Sequence, residues 1–441
     1  MLLFIHKRFH CLIVLLLFIS LYMLTTWFRT PKTTARTKSI TQLLNYRRPL
    51  SSSTTVFKMP APFQYKQPEH RLTLIPGPIE FSDDVLASMA IPSQAHTSPD
   101  FIYTFQYVLQ NLRKLFKSTD ANTQGYVLSG SGTLGWDVAA TNIIEPGEKV
   151  LVLSTGFFSD SFAECLKVYG ADVDVITAEI GDVVPLDKIK DQLQKEKYAA
   201  ITITHVDTST SVVSDVEAIS KVVKEVSPET LIIVDGVCSV GVEDIEFDKW
   251  GLDFVLTASQ KAIGVPAGLS IFYASERALS KALNKEKDTT FFASLKRWTP
   301  IMKAYESGSG AYFATPAVQT ITALKTSLEE IFAEGLDKRL ATQAKKSDEF
   351  KAKVKELDLT ILPKNDKVAA HGLTAVYFPE GVNGPDLLKK LGEKGYTVAG
   401  GIHKKLVGKY FRVGHMGYSV YAGHIDSFEK ALEESLKELK Q

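Results

Sequence analysis

The chain has 441 residues, of which 45% are hydrophobic and 23% are charged, so it is long enough for two or three globular domains. Its formal net charge of +1 gives no indication of a nucleic-acid partner. The three cysteines, Cys11, Cys165 and Cys238, are too few for a disulfide framework and fit no zinc-ligand spacing. We therefore expect a reducing compartment, no structural disulfide and no metal site.

Residues 1–70 differ in composition from the rest of the chain, because Glu69 is their single acidic residue. The apolar run at residues 11–28 is about as long as a membrane helix, which needs ~20 residues. Residues 29–53 are rich in Arg, Lys, Ser and Thr, which is typical of an organellar presequence. We expect mitochondrial targeting. The alternatives are a membrane anchor at residues 11–28, or an extension upstream of a start near Met59 that would leave the protein cytoplasmic or peroxisomal.

From residue 71 onward, short runs rich in Val and Ile alternate with amphipathic stretches. Such runs, bounded by Gly, Ser or Asp, are typical of buried parallel strands. The alternation predicts an α/β domain with a mainly parallel sheet flanked by helices, whose ligands bind at the carboxyl ends of the strands. The predicted strands are residues 125–128, 150–153, 200–204, 231–234, 254–256 and 270–273, and the predicted helices are residues 136–144, 159–169 and 214–226.

The C-terminal part of the chain shows a different pattern. A helical repeat of apolar residues after Thr315 and Pro316 is expected to lead out of the large domain. Strands are predicted at residues 373–377 and 410–413, and helices at residues 339–356, 386–394 and 425–439, which indicates a smaller α+β domain. The predicted organisation is an extension at residues 1–70, a large domain with an N-terminal arm at residues 71–325 and a small domain at residues 326–441.

A glycine-rich segment follows the first predicted strand of the large domain, at residues 129–135 (SGSGTLG), and precedes a helix. Small residues at a helix N-terminus let backbone N–H groups approach an anion, and the hydroxyls of Ser131 and Thr133 add donors. No lysine follows in the position that a nucleoside triphosphate loop requires, and the dinucleotide pattern is not matched. A phosphate cradle and a simple helix cap are both compatible with this segment.

Two ionisable residues follow later strands. Asp235 ends the apolar run at residues 231–234, where it is either a structural cap or salt bridge, or a partner for a heterocyclic nitrogen. Lys261 follows the strand at residues 254–256 among apolar neighbours, where desolvation would lower its pKa and make its amine a nucleophile. Pyridoxal phosphate needs a lysine, an aspartate and a phosphate cradle of this kind.

The ordered set of motifs resembles the class V, fold-type-I aminotransferases over most of the chain, from about Leu72 to the C-terminus, and most resembles the fungal alanine–glyoxylate aminotransferases. The motifs are residues 75–78 (IPGP), 129–133 (SGSGT), 204–210 (THVDTST), 234–235 (VD), 259–261 (SQK), 311–316 (AYFATP) and 412–417 (RVGHMG). The resemblance implies pyridoxal 5′-phosphate as cofactor and a two-domain fold.

The resemblance also implies roles for individual residues. Lys261 would bind the cofactor covalently and then move a proton, while Asp235 would pair with the pyridine nitrogen. Phe158 occupies the ring-stacking position, where animal relatives carry tryptophan, and an aromatic face is retained. The remaining cofactor contacts would be Ser131, Gly132, Thr133 and Gln260 at the phosphate, and Thr208 near the ring hydroxyl.

Further residues concern the substrate and a partner subunit. Arg412 matches the arginine that binds the substrate α-carboxylate, and Pro76 and Gly77 match a wall of the substrate pocket. Tyr312 and Thr315 resemble a pair that reaches the phosphate in the neighbouring subunit, so the resemblance implies a homodimer with cofactor sites at the subunit interface.

The implied reaction is transamination from L-alanine to glyoxylate, giving pyruvate and glycine, which links the protein to glycine biosynthesis and glyoxylate catabolism. Serine–pyruvate or serine–glyoxylate transamination on the same scaffold is the alternative. Cysteine desulfuration is disfavoured, because no cysteine follows Lys261 to act as its catalytic thiol. A cofactor-free binding protein or a membrane-tethered scaffold is disfavoured because Lys261 and Asp235 are both present.

Overall fold

The computed structural model describes residues 65–440. The apolar run at residues 11–28, the basic segment at residues 29–53 and Met59 lie outside the described residues. The described residues belong to one compact unit. Within residues 65–440, no helix combines the length and the apolar composition that crossing a membrane requires.

The strands follow the buried apolar runs of the sequence. They are β1 Leu72–Thr73, β2 Gln124–Ser129, β3 Lys149–Ser154, β4 Asp172–Thr177, β5 Ala200–Thr204, β6 Val206–Asp207, β7 Val212–Val213, β8 Leu231–Asp235, β9 Phe254–Ala258, β10 Leu269–Ala274, β11 Leu373–Tyr377, β12 Tyr396–Thr397, β13 Ala399–Gly400 and β14 Tyr410–Gly414. The predicted strands of both domains all coincide with members of this set.

Several helices begin after a residue whose side chain accepts a hydrogen bond from an N–H group of the first turn. Ser98 accepts a bond from the N–H of Phe101 at the start of α2, with Pro99 in the first turn, and Asp215 caps α6 in the same way. The helices are α1 Asp83–Ser88, α2 Pro99–Leu115, α3 Gly132–Asn142, α4 Phe157–Val168, α5 Leu186–Lys195, α6 Val216–Val226, α7 Phe247–Trp250, α8 Glu276–Leu283, α9 Leu295–Glu306, α10 Val318–Glu334, α11 Leu336–Glu356, α12 Gly384–Glu393, α13 Tyr418–Tyr421 and α14 His424–Leu439.

The central sheet has seven strands in the order β2-β10-β9-β8-β5-β3-β4. β10 runs antiparallel to both of its neighbours, and the other pairs are parallel, so the predicted mainly parallel α/β sheet is confirmed. β4 was not predicted. It lies at the sheet edge, where its residues are half-buried or exposed, so it lacks the continuous apolar run of the central strands.

A smaller antiparallel sheet, β11-β14-β13, forms the C-terminal part and packs against α11, α12 and α14. The N-terminal arm joins this part, because β1 pairs with β12 and Leu74 lies in the same core. The predicted division at residues 325 and 326 falls inside α10. Leu324, Leu328 and Ile331 of that helix pack in the core of the large sheet, and Gly335 separates α10 from α11.

The carboxyl ends of the parallel strands of the large sheet all point to one edge. β8 and β5 are in register at Asp235 and Thr204, and β8 and β9 are in register at Asp235 and Leu256. β2 and β3 end at the same edge, with Ser129 and Ser154 as their last residues. The loops after these strands therefore converge on one crevice, as expected for a sheet of this kind.

Candidate active site

Lys261 lies three residues after β9 in a nearly dry environment. Its side chain is 9% exposed, and its Nζ donates a hydrogen bond to the carbonyl oxygen of Pro76. Burial lowers the pKa of Lys261, and the positive charge of Arg412 lowers it further, against opposing contributions from Cys238 and Asp235. A larger neutral fraction of the amine makes Lys261 a better nucleophile and base than a surface lysine.

Gly77 packs directly on the side chain of Lys261. A Cβ at position 77 would lie 2.5 Å from Cδ and 2.8 Å from Nζ of Lys261, and the backbone φ of +106° also favours glycine. The motif at residues 75–78 is therefore more than a surface turn, because it forms the wall against which the lysine rests. Pro76 and Gly77 lie beside Lys261.

Asp235 ends β8 and is buried, with 3% of its surface exposed. Its Oδ2 accepts a hydrogen bond of 2.8 Å from Nε1 of Trp136, and its Oδ1 accepts one of 2.9 Å from the N–H of Val237. Burial nevertheless raises the pKa of Asp235 to about 6. A cationic partner would stabilise the carboxylate that this environment disfavours.

Trp136 is a site residue that the sequence did not reveal. It was predicted only as the start of a helix, whereas α3 begins four residues earlier and directs the indole towards Asp235. Tryptophan has a single N–H donor, which needs a partner when it is buried. A tryptophan directly after a glycine-rich segment was therefore the feature of the sequence that could have indicated a site residue.

The glycine-rich segment forms the first turn of α3. Ser131 is the N-cap residue and its side chain makes no capping bond, so its hydroxyl is available to a ligand. The N–H groups of a first helical turn have no acceptor within the helix. Gln260 lies beside this turn and its side-chain amide makes no hydrogen bond among the described residues, so its Nε2 is free to donate to an anion. The segment with Gly132 and Thr133 therefore offers hydrogen-bond donors of the kind that an anion requires.

One cavity of about 140 Å³ brings these groups together, and we call it the Lys261 cavity. It includes the predicted cofactor-binding residues of this chain, namely Lys261, Asp235, Ser131, Gly132, Thr133, Phe158, Thr208 and Gln260, together with Trp136, Thr204, Val206 and Val237. Larger cavities elsewhere in the described residues lack this combination of a buried amine, a buried carboxylate and free helical N–H groups.

Asp207 holds the loops that carry Phe158 and Thr208, and it too was missed by sequence analysis. It is fully buried, and its Oδ2 accepts hydrogen bonds of 3.2 Å from the N–H groups of Phe158 and Ser159. Its Oδ1 accepts a bond of 2.9 Å from the N–H of Ser209. The signal was an acid within the buried 204–210 motif, which must find several donors.

Arg412 lies in the middle of β14 and is 8% exposed. Its Nε donates to the carbonyl of Gly400 at 3.0 Å, and its Nη1 donates to the carbonyl of Thr208 at 3.2 Å. Among residues 65–440, no carboxylate oxygen lies within 4.0 Å of its guanidinium nitrogens. Burial lowers the pKa of Arg412. A buried guanidinium held by carbonyls alone is well suited to a substrate carboxylate.

Tyr312 and Thr315 are not part of the Lys261 cavity of their own chain. Tyr312 is 61% exposed, and Thr315 is also exposed. Their hydroxyl oxygens lie 3.5 Å apart, and the Tyr312 ring packs against His96 with centroids 4.8 Å apart. Any role of this pair in cofactor binding therefore requires a second chain.

The residues of the Lys261 cavity fit pyridoxal phosphate. The side-chain amide Nε2 of Gln260 can donate a hydrogen bond beside the Ser131 turn, which suits a phosphate group. Asp235 provides the carboxylate for a protonated ring nitrogen, Lys261 the amine and Phe158 an aromatic face. Within the same described residues, no group of three or more His, Cys, Asp or Glu side chains could hold a metal ion.

Comparison with known proteins agrees with this geometry. The family model for aminotransferase class-V matches residues 80–418. The chain is 52% identical to alanine–glyoxylate aminotransferase 1 of Saccharomyces cerevisiae over 354 residues, which are 78% of this chain and 91% of the yeast protein. It is 32% identical to serine–glyoxylate aminotransferase of Hyphomicrobium methylovorum over 83% of this chain and 90% of that protein.

Solved structures show the same fold. Alanine–glyoxylate aminotransferase from a Nostoc species superposes with a TM-score of 0.78 at 28% identity, covering 84% of this chain and 96% of that one. Ureidoglycine–glyoxylate aminotransferase from Bacillus subtilis also gives a TM-score of 0.78, at 25% identity, covering 85% and 95% of the two chains. The match of the family model and the buried lysine–aspartate cavity together lead to one conclusion: the chain belongs to the class-V aminotransferase family and has the fold of its pyridoxal-phosphate-dependent members.

Proposed function

We propose that this chain transfers the amino group of L-alanine to glyoxylate, producing pyruvate and glycine, with pyridoxal 5′-phosphate as cofactor. The observation that carries the proposal is the 52% identity to the yeast alanine–glyoxylate aminotransferase along 91% of that protein. Identity to the serine–glyoxylate enzymes is lower, at 32% or less. The reaction would consume glyoxylate and supply glycine.

The cofactor would be held at its two ends. The first turn of α3, from Ser131 to Thr133, would donate N–H groups and hydroxyls to the phosphate, with Gln260 beside it. Asp235 would accept from the protonated ring nitrogen, while Trp136 and the N–H of Val237 hold its carboxylate in place. Pyridoxal phosphate, when bound, supplies an electron sink for the negative charge that develops at the substrate Cα.

Lys261 has two tasks in this scheme. Its amine would hold pyridoxal phosphate in the cavity when no substrate is bound. Its Nζ would also be the base that holds and moves the proton of the substrate Cα. Burial favours the neutral amine that this base needs, and the wall formed by Pro76 and Gly77 limits where the side chain can move.

Arg412 would fix the orientation of the substrate. A guanidinium can bind both oxygens of an α-carboxylate, and Arg412 has no competing carboxylate within 4.0 Å among the described residues. Its bonds to the carbonyls of Gly400 and Thr208 keep the guanidinium close to the cofactor loops. The α-amino group of the substrate is thereby aimed at the position that Lys261 occupies.

A donor–acceptor panel tests the proposed reaction. The full-length protein, loaded with pyridoxal phosphate, would be assayed with L-alanine, L-serine and L-aspartate as donors and with glyoxylate and pyruvate as acceptors. We expect the highest kcat/KM for L-alanine with glyoxylate. A higher value for L-serine would replace the proposal with serine–glyoxylate transamination, and the absence of turnover with every pair would overturn it.

We also propose that the active unit is a homodimer in which Tyr312 and Thr315 reach the phosphate bound by the other chain. Both residues are exposed, and they lie in a region that carries further exposed aromatic rings, Phe291 at 67% and Phe292 at 40%. The Phe291 ring contacts Phe313 and the guanidinium of Arg297. An exposed aromatic patch of this kind is typical of a protein–protein interface.

Mixing two inactive variants tests the shared site. Lys261→Ala lacks the amine, and the double variant Tyr312→Ala with Thr315→Ala lacks the exposed hydroxyl pair. When the two are unfolded, mixed and refolded, a mixed dimer contains one complete site if the pair acts across the interface. Activity should then exceed the sum of the separately refolded variants. No recovery in a mixture shown to contain mixed dimers would contradict the shared site.

We propose mitochondrial targeting through residues 1–70. The proposal is supported by the basic, acid-poor composition of that segment. A fusion of residues 1–70 to a fluorescent protein should enter mitochondria, whereas the chain beginning at Met59 should remain cytoplasmic or enter peroxisomes. Retention of the fusion in a membrane fraction after carbonate extraction would instead support an anchor at residues 11–28.

A further inference from the structure

A second cavity, of about 400 Å³, lies next to the segment that follows Lys261. Ile263 and Gly264 of that segment line it, and none of its lining residues lines the Lys261 cavity. Its other walls come from the start of α1, the end of α10, the start of α11 and α13. Since α10 and α11 flank Gly335, the cavity lies where the large-sheet part and the small-sheet part join. We call it the acidic cavity.

The acidic cavity contains a buried arginine that has an aromatic neighbour but no hydrogen-bond or ion-pair partner. Arg339 is 9% exposed, and its guanidinium carbon lies 5.2 Å from the centroid of the Tyr421 ring. In the part of the chain that the structure describes, its side chain makes no hydrogen bond and no carboxylate lies within 4.0 Å of it. A guanidinium that is 9% exposed, lines the cavity and makes no hydrogen bond has N–H donors available to an acceptor that is not part of the chain.

Carboxylates outnumber this arginine in the same cavity. Asp83, Asp84, Glu330 and Glu334 all line it. Glu330 accepts a hydrogen bond of 2.6 Å from the hydroxyl of Ser82, and burial raises its pKa. Among the described residues, neither Asp84 nor Glu334 has a lysine or arginine nitrogen within 4.0 Å. A simple anion would be repelled by these carboxylates, whereas a simple cation would leave Arg339 unsatisfied.

We propose that the acidic cavity binds a small free α-amino acid as a zwitterion, at a site separate from the catalytic one. Both carboxylate oxygens of the amino acid would accept hydrogen bonds from the guanidinium of Arg339. The ammonium group of the ligand would face Glu330, Glu334 and Asp84. This arrangement satisfies the buried guanidinium and the surplus of carboxylates with a single ligand. The rings of Tyr418 and Tyr421 form the remaining wall. This inference goes beyond the proposed transamination and does not depend on it.

Equilibrium dialysis with radiolabelled glycine tests the site. The measurement uses the full-length protein carrying Arg412→Gln, which removes the guanidinium of the catalytic site. We expect one glycine bound per chain, and at least about tenfold weaker binding when Arg339→Gln is added, because a charge-assisted pair is lost. Absence of glycine binding, or binding that Arg339→Gln leaves unchanged, would overturn the proposal. Arg277→Gln, an exposed arginine near the opposite edge of the sheet, is the matched control.

A second variant distinguishes a zwitterion from a plain carboxylate. Glu334→Gln should weaken glycine binding, because an ammonium partner is lost, and should strengthen acetate binding, because a repelling charge is lost. Strengthening of both ligands would show that the cavity binds carboxylates only, and no change in either would show that Glu334 plays no part. Either result contradicts the proposal. This variant also keeps the test decisive if Arg339→Gln does not fold.

Discussion

The Lys261 cavity and the acidic cavity are lined by neighbouring residues of the segment 260–264, yet they hold different sets of charged groups. The smaller one, of about 140 Å³, holds a buried amine, a buried carboxylate and the first turn of a helix. The larger one, of about 400 Å³, surrounds one unpaired arginine with carboxylates and contains no lysine. The function of each cavity is indicated by the polar groups that lack a partner in it. The volume of the cavity does not indicate its function. The groups in the Lys261 cavity fit the proposed transamination, and those in the acidic cavity fit the proposed binding of an amino acid.

Substitution of Lys261 is expected to have the largest effect and tests whether the Lys261 cavity is the catalytic one. Lys261→Ala should lower kcat by a factor of about 10²–10⁴ or more, because a positioned base is lost, and should abolish the visible absorbance of the lysine-bound cofactor. Lys285→Ala is the matched control, since Lys285 is also buried but bonds to the carbonyls of Thr141 and Ile144 at 2.7 and 2.9 Å.

Lys285→Ala should lower the stability of the protein and leave the visible absorbance of the cofactor unchanged. Removing Lys285 leaves the carbonyl of Ile144 unsatisfied, while that of Thr141 keeps its bond from the hydroxyl of Thr289. The loss costs about 1–3 kcal/mol, which lowers the midpoint of thermal unfolding. The absorbance and kcat of Lys285→Ala should stay close to those of the unmodified protein. If Lys261→Ala behaves like Lys285→Ala, the Lys261 cavity is not a catalytic site.

Removal of the charge of Asp235 should have the next largest effect. Asp235→Asn keeps the shape of the side chain but cannot stabilise a protonated ring nitrogen, so kcat should fall by about 10²–10³. The comparison to make is steady-state turnover of the variant with excess cofactor, so that weak binding is not mistaken for slow chemistry. A kcat within a factor of two of the unmodified protein would remove Asp235 from the mechanism.

Arg412→Lys should act on substrate binding more than on the chemical step. Loss of a bidentate bond costs about 1.5–3 kcal/mol, so KM for the amino acid should rise by about 10–100-fold. Lysine retains the positive charge but cannot bind both carboxylate oxygens at once. Initial rates over a range of L-alanine concentrations would show this. A fall in kcat with an unchanged KM would mean that Arg412 positions the loops rather than the substrate.

The pH dependence of cofactor binding gives the smallest expected effect. The pKa of Asp235 is raised from 3.8 to about 6 in the cofactor-free protein, so the carboxylate is lost as the pH falls through 6. Affinity for pyridoxal phosphate should therefore be about tenfold lower at about pH 5 than at about pH 7.5, and Asp235→Asn should remove this difference. The carboxyl group's contribution to folding has the opposite trend. The stability that Asp235 contributes is fully present below about pH 4 and is lost as the pH rises to about 6.

Local pattern was enough for most of the fold and part of the site. The central strands read as continuous apolar runs because both faces of the sheet are covered, whereas the half-exposed edge strand β4 gave no such run. Lys261 and Asp235 stood out because charged residues follow buried strands. Trp136 and Asp207 did not, because their importance lies in the donors and acceptors that they meet.

The sequence by itself determined the mainly parallel sheet and membership of the class-V aminotransferases, since apolar periodicity and short motifs are local properties. Tertiary structure alone decided which groups meet. Trp136 reaches Asp235 across 99 residues of chain, and Arg412 reaches the carbonyl of Thr208 across 204. The acidic cavity likewise exists only where α1, α10, α11 and α13 pack together. Such contacts depend on how elements pack in space, and spacing along the chain does not encode that packing.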